Sequence, residues 1–243
     1  MPETNKIIRL YWYMSNNIGD NINYFLVSKL SGKVVTVANR DKEHFIVCGS
    51  TLSNANEFST VWGAGFDWIH HRNRDLNGCE NVIAVRGDLS AECCGMDVMA
   101  IGDPALLLPM FHNPKVEKKY KVGIIPHWGN IEKCANKYKK QFIINPLSDV
   151  YEFVNNILSC ENVFSESLHG LIISDTYGVK NTWLGINDNV GDGFKFRDYY
   201  SSTENPETEK IKSLDTSNCI VHKYKYDLNE FLNSCPFYNG KHK

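Results

Sequence analysis

The chain has 243 residues, 42% hydrophobic and 22% charged, an ordinary globular composition with enough apolar material for one large domain or two small ones. Its 26 Lys and Arg stand against 28 Asp and Glu, a formal charge of -2, so no global field gathers nucleic acid. Eight cysteines without a C-x-x-C pair predict reduced thiols in a cytoplasmic protein rather than a disulfide framework, with the adjacent Cys93 and Cys94 read as buried thiols. Met1–Lys6 is polar and the apolar run Ile7–Met14 is broken by Arg9, which predicts neither a signal peptide nor a membrane span.

In chain order, Ile7–Tyr13 reads as a strand, Ser15–Asp20 as a polar turn, and Ile22, Phe25, Leu26 and Leu30 recur at helical spacing. Short strands are predicted at Lys33–Ala38, Phe45–Cys48, Ser59–Trp62 and Asn81–Val85, and a helix at Leu89–Cys94. Asp103 before Pro104 is a helix-start signal, with the aspartate as cap and the proline in the first turn. Asn113-Pro114-Lys115 is the best linker candidate and divides the chain into 1–113 and 114–243.

The second half starts again with a strand at Lys121–Ile125, leading into Pro126-His127-Trp128-Gly129. A strand at Phe142–Asn145, a helix at Val150–Ile157 and a strand at Asn162–Phe164 follow. A helix over Leu171–Tyr177 and a strand within Gly178–Gly185 complete the series, Val190–Gly193 reads as a turn, and Tyr224–Phe231 has weak helical spacing. Two strand–helix series predict two parallel-sheet lobes with functional loops at the strands' carboxyl ends.

Several of those loops carry chemistry. Ser165-Glu166-Ser167-Leu168-His169-Gly170 sits at a strand-to-helix junction, where free N–H groups and the helix dipole hold an anion, or where a serine simply caps the helix. His127 has the same setting, and two histidines on separate loops can clamp an anion or act as acid and base. In the first half, Gly19 can expose backbone while Asp20 caps or receives a hydroxyl proton. Arg86 follows a strand and its fork suits carboxylate or phosphate, though an ion pair explains it equally well.

Gly63-Ala64-Gly65 lacks the dinucleotide fingerprint, which disfavours NAD. His70-His71 has no matching acidic cluster, so no metal is expected. The lysines at 118, 119, 121, 133, 137, 139 and 140 suit an anionic lipid surface or plain solvation. Trp68, Trp128 and Trp183 are candidate sugar-stacking faces or packing groups.

Asn17-Ile18-Gly19-Asp20, Gly63-Ala64-Gly65, Val85-Arg86-Gly87, Gly102-Asp103-Pro104-Ala105, Pro126-His127, Ser165–Gly170 and Phe196-Arg197-Asp198-Tyr199-Tyr200 occur in this order. Together the set resembles the polysaccharide pyruvyl transferases, especially the bacterial exopolysaccharide ketal-pyruvate transferases. The resemblance implies a GT-B-like α/β fold: two Rossmann-like lobes around a cleft, the first short and on the acceptor side, the second on the donor side. It implies phosphoenolpyruvate as co-substrate, no other cofactor, and a sugar acceptor on a lipid-linked or nascent polysaccharide, which allows peripheral contact with the inner face of a membrane.

Catalytic roles fall by that resemblance to His169, His127 and Asp20, and donor binding to Arg86, Ser165, Ser167 and Gly170. Asn17, Gly19, Gly63 and Gly65 would face the acceptor. Many relatives carry arginine two residues before the motif histidine, where this chain has Ser167. A hydroxyl supplies no cation, so the phosphate would be held by His169, by backbone donors, or by a basic group elsewhere such as Lys195 or Arg197. The competing expectations are a nucleotide-sugar glycosyltransferase and a non-catalytic carbohydrate-binding protein of the same fold.

Overall fold

The computed structural model describes residues 6–68, 76–185, 192–206 and 209–240; His70, His71, Val190 and Gly191 lie outside the described residues. Strand β1 (Ile7–Tyr11) buries Ile8 and Leu10 in alternation. Helix α1 (Ile18–Ser31) lays Ile18, Ile22, Leu26 and Leu30 along one stripe. Each such buried aliphatic side chain contributes about 2 kcal/mol. The helix ends at Gly32, whose φ of 64° lets its N–H close on the Ser28 carbonyl.

Strands β2 (Val34–Val37), β3 (His44–Ile46), β4 (Ser59–Trp62) and β5 (Asn81–Val85) follow, then helix α2 (Asp88–Cys94) and β6 (Ala100–Ile101). The six strands form one sheet in the order β2-β1-β3-β4-β5-β6, with every pairing parallel. Asp103 then caps the tight helix Pro104–Met110 by accepting from the Ala105 N–H at 2.9 Å, as its sequence position predicts.

The second half runs β7 (Tyr120–Ile125), α3 (Ile131–Lys137), β8 (Phe142–Ile143), α4 (Val150–Leu158), β9 (Cys160–Ser165), α5 (Leu168–Thr176) and β10 (Lys180–Trp183). Its four strands form a second parallel sheet, β10-β9-β7-β8. Counted within its own sheet, each half begins in the order 2-1-3-4. The order reverses between β1 and β3 in one sheet and between β7 and β9 in the other, and ligand crevices of open α/β sheets form at such switch points.

Two parallel sheets with flanking helices are therefore present, as expected. The shorter sheet is the second, however, with four strands against six, and not the first. The short first lobe comes from the resemblance; the strands expected from the sequence already favour the first half, and β6, two residues long and without periodicity, adds one more. The chain also leaves the second sheet early: α6 (Phe194–Ser201) packs on α2, and α7 (Leu228–Asn233) packs on β6. There Phe231 stacks on the buried Trp62, with ring centroids 4.6 Å apart, and Trp62 donates to Ser234 Oγ at 3.0 Å.

The two sheets share a core. Leu10, Ile22, Ile125 and Leu171 belong to one apolar cluster, α1 rests on α4 and α5, and the Ile18 N–H reaches the Pro146 carbonyl at 2.8 Å. The eight cysteines are free, seven of them buried, with Cys94 half-buried.

Candidate active site

A recess of about 230 Å³ opens where the two switch points meet. From the first sheet, Asn17, Gly19 and Asp20 come from the β1–α1 junction, and Ser50 and Asp67 from loops beyond β3 and β4. From the second, His127 and Trp128 follow β7, while Glu166, Ser167 and His169 follow β9. Lys195, from the first turn of α6, completes the wall.

The structure thus brings His127, His169, Asp20, Asn17, Gly19, Ser167 and Lys195 to one place. The starts of α1 and α5, of 14 and 9 residues, both face it, so two positive helix ends converge.

His169 is buried in the first turn of α5. Its Nδ1 faces Gly19: a Cβ there would stand 2.4 Å away, so only glycine lets α1 approach this close. Its Nε2 lies 3.1 Å from Cys48 Sγ and 3.7 Å from Asp103 Oδ2, and Cys48 Sγ lies 3.5 Å from Asp103 Oδ1. Burial pushes the Cys48 thiol well above its ordinary range, reinforced by the Asp103 carboxylate, so sulfur keeps its proton. The thiol can then donate to Asp103 and accept from Nε2–H. Asp103 Oδ2 is buried without a hydrogen-bond partner, leaving its charge directed at the imidazole. Burial lowers the His169 pKa, Asp103 opposes that shift, and Arg86 adds to it.

Cys48 escaped the sequence reading, and Asp103 was read only as a cap. The Gly102-Asp103-Pro104 turn was a visible signal for the second; nothing in the sequence joins Cys48 to a histidine more than a hundred positions away.

The other ionisable groups are mixed in sign. Glu166 is buried and accepts from the His127 N–H at 3.2 Å and from Asn130 Nδ2 at 3.3 Å, tying the β7 loop to the β9 loop. His127 Nδ1 accepts from the Gly129 N–H at 3.3 Å; burial lowers its pKa, Lys195 lowers it further and Glu166 opposes. Burial also lowers Lys195 to about 8, with Arg86 pushing the same way and Asp67 against. Asp20 receives the Ser15 hydroxyl, and its pKa is raised by burial, an effect the Ser15 hydrogen bond and His169 oppose. With three carboxylates beside one lysine and two histidines, side-chain charge alone does not make the recess positive. The helix starts must supply part of any anion affinity.

Other expected site residues are placed elsewhere. Arg86 is wholly buried, with Nε and Nη2 both 2.8 Å from Asp198 Oδ2, and it also donates to Phe66 O and to Ser50 Oγ at 3.0 Å. Asp198 additionally accepts from the Ser90 N–H and hydroxyl at 2.6 and 2.7 Å. The guanidinium is committed to an ion pair behind the recess and touches it only through Ser50.

Gly65 makes room for that pair, since a Cβ would lie 2.5 Å from Arg86 Cζ. Gly63, at φ 94°, makes room for Pro104. Ser165 is used in its own turn, accepting from the Ser167 N–H at 3.0 Å and donating to the Ser167 carbonyl at 2.8 Å. A Cβ on Gly170 would meet Ser165 Oγ at 2.3 Å, so its role here is close packing of α5. Arg197 donates to the Asp192 carbonyl at 2.8 Å and lines a neighbouring pocket. Of the two candidate replacement cations, Lys195 is the one at the recess.

Paired parallel sheets with a recess lined by ionisable groups at both switch points are the arrangement in which open α/β folds take ligands. Residues 11–189 match the family model described as polysaccharide pyruvyl transferase, and the chain belongs to that family. The family's reaction moves a pyruvyl group from phosphoenolpyruvate to a polysaccharide, with phosphoenolpyruvate as co-substrate and no metal cofactor implied.

The chain is 28% identical over 250 residues to an uncharacterized protein of Acanthamoeba polyphaga mimivirus, covering 94% of this chain and 84% of that protein. It is 27% identical over 128 residues to the succinoglycan biosynthesis protein ExoV of Rhizobium meliloti (strain 1021), covering 49% of this chain and 39% of that one. No solved structure matches. No helix among the described residues is long and apolar enough to cross a membrane.

Proposed function

We propose that the recess binds phosphoenolpyruvate and builds a cyclic pyruvyl ketal on two hydroxyls of one sugar, within a GT-B-like arrangement whose first sheet presents the acceptor. The observation that carries this reading is the meeting of His169, Lys195, His127 and Asp20 at the starts of α1 and α5. The donor's phosphate and carboxylate lie against the α5 start, the Ser167 hydroxyl, Lys195 and His127. Ser50 relays the field of Arg86 without making it a ligand.

His169 is the acid. Its Nε2–H is held by Cys48 and Asp103, so the transferable proton sits on Nδ1, the ring nitrogen that lies against Gly19 in the recess wall. Burial disfavours the imidazolium, and an incoming anion favours its protonation. Nδ1–H protonates C3 of the enol, making C2 cation-like. A sugar hydroxyl adds to C2 and loses its proton to Asp20, whose raised pKa makes it a stronger base. The C2–O bond to phosphate then breaks, the helix starts and Lys195 stabilise the departing charge, and the second hydroxyl closes the ketal. One hydroxyl proton replaces that given to C3, and the other leaves with phosphate.

An acceptor carried on lipid would bring the protein to a membrane surface as a peripheral visitor. The direct test incubates the protein with phosphoenolpyruvate and candidate saccharides and follows phosphate release and acceptor mass together. Both appear in step if the reading holds. Transfer from a nucleotide sugar without use of phosphoenolpyruvate overturns it.

A further inference from the structure

A second depression of about 450 Å³ lies on the other side of the Ser15–Asp20 hydrogen bond, lined by Trp12, Tyr24, Tyr151, Asn16, Asn21 and Asp149. It is built from both halves of the chain. Tyr24 belongs to α1 and Tyr151 to α4, two helices in contact; the two residues are 54% and 44% exposed. Trp12 is half-buried and lines the same depression. Tyr151 is held edge-on by Phe25 at 5.4 Å and by His112 at 4.8 Å, so its ring is braced and not loose on the surface.

Asn21 Nδ2 donates to the Asn16 carbonyl, fixing one amide at the rim, and Asp149 caps α4 with Oδ1. Aromatic faces with amide and carboxylate groups at their edges suit an uncharged polyhydroxylated ring, which offers C–H faces to the aromatics and hydroxyls to the rim. A nucleotide phosphate or an acidic peptide would meet Asp149 and no cation among these lining residues.

We infer that this groove is an acceptor subsite holding the sugar rings next to the one being pyruvylated, so that the preferred acceptor is an oligosaccharide rather than a single sugar. The inference rests on the proposed pyruvyl transfer at the neighbouring recess. Asp20, the acceptor-side base, joins the two: its carboxylate lines the recess while its Ser15 partner lines the groove. A glycan lying in the groove thus delivers its end unit to Asp20.

The experiment compares gluco- and galacto-oligosaccharides of one to four rings in two readouts. One is phosphate release from phosphoenolpyruvate; the other is direct binding to phosphoenolpyruvate-free protein by isothermal titration. Wild-type protein binds the longer saccharides and turns them over with a higher kcat/KM than the single sugars. Tyr24→Ala with Tyr151→Ala weakens binding of the longer chains by about tenfold and removes the length preference, while the KM for phosphoenolpyruvate stays at its wild-type value. Tyr24→Phe with Tyr151→Phe, which keeps the rings, retains most of the preference.

Length preference that survives the alanine pair overturns the subsite, as does failure of every saccharide to bind wild-type protein. Ring-dependent binding without phosphate release leaves the groove standing and removes the pyruvyl-transfer reading instead.

Discussion

The two rims of the recess come from sheets with the same strand order, yet they treat charge differently. On the first-sheet side the strongest cation, Arg86, is wholly buried against Asp198, and Asp103 is wholly buried behind His169. On the second-sheet side His127 and Ser167 are half-buried and Trp128 is 57% exposed. One topology thus supports two uses: the first rim buries its strongest ion pair behind the site, the second leaves Trp128 open, and each sends a half-buried ionisable group, Asp20 or His127, to the recess. An arginine directly after a strand is therefore weak grounds for a ligand contact until its partner is known.

That contrast can be broken by substitution. The largest expected effect is at His169: His169→Ala lowers kcat by about 10²–10⁴-fold with the folded state retained, checked by steady-state kinetics alongside circular dichroism. Activity close to wild type in that variant removes the imidazole from the chemistry.

Arg86→Ala should act on stability first. Leaving Asp198 buried without its partner costs about 3–5 kcal/mol, read as a lowered denaturation midpoint in urea. If instead the variant melts like wild type and only the KM for phosphoenolpyruvate rises, Arg86 is a donor ligand and the contrast between the rims fails.

Asp103→Asn tests the support behind the acid. We expect kcat to fall by about tenfold to a hundredfold with little change in either KM. Asp103 raises the His169 pKa, so its loss moves the limb of the kcat profile that reports protonated His169 to lower pH. A merely structural Asp103 would change the amount of folded enzyme and leave the profile in place.

The smallest effect belongs to Lys195. With a pKa of about 8, it is charged below that pH and loses its charge above it, so the affinity for phosphoenolpyruvate falls as pH rises through about 8. Lys195→Met raises the KM by about tenfold at pH 7 and removes the inflection near 8. An inflection that persists in Lys195→Met belongs to another group.

Much of this was written locally in the chain. β-Branched and aromatic residues marked β1, helical spacing marked α1 and α4, and the Asp103-Pro104 pair announced its own cap. Local pattern was also enough to put His127 and His169 just past the carboxyl ends of strands, although His169 falls in the first turn of α5 and not in the loop expected for it.

What the sequence could not decide was which charged groups meet. Arg86 and Asp198 are 112 positions apart, and Cys48 and His169 are 121 apart. No periodicity spans such distances, and a guanidinium's role depends on what lies within a few ångströms of it. Length of element mattered too: two-residue β6 and the mostly polar α3 carry too few buried side chains to reveal themselves, and the aromatic stretch that becomes α6 showed no helical stripe. The sequence by itself determined the parallel strand–helix units, which follow from short-range spacing, and carried the ordered motifs by which it resembles its family. Only the tertiary structure decided that Arg86 supports the fold, that Lys195 rather than Arg197 reaches the recess, and that Cys48 and Asp103 stand behind His169, because burial and pairing of charges are set by packing between distant segments.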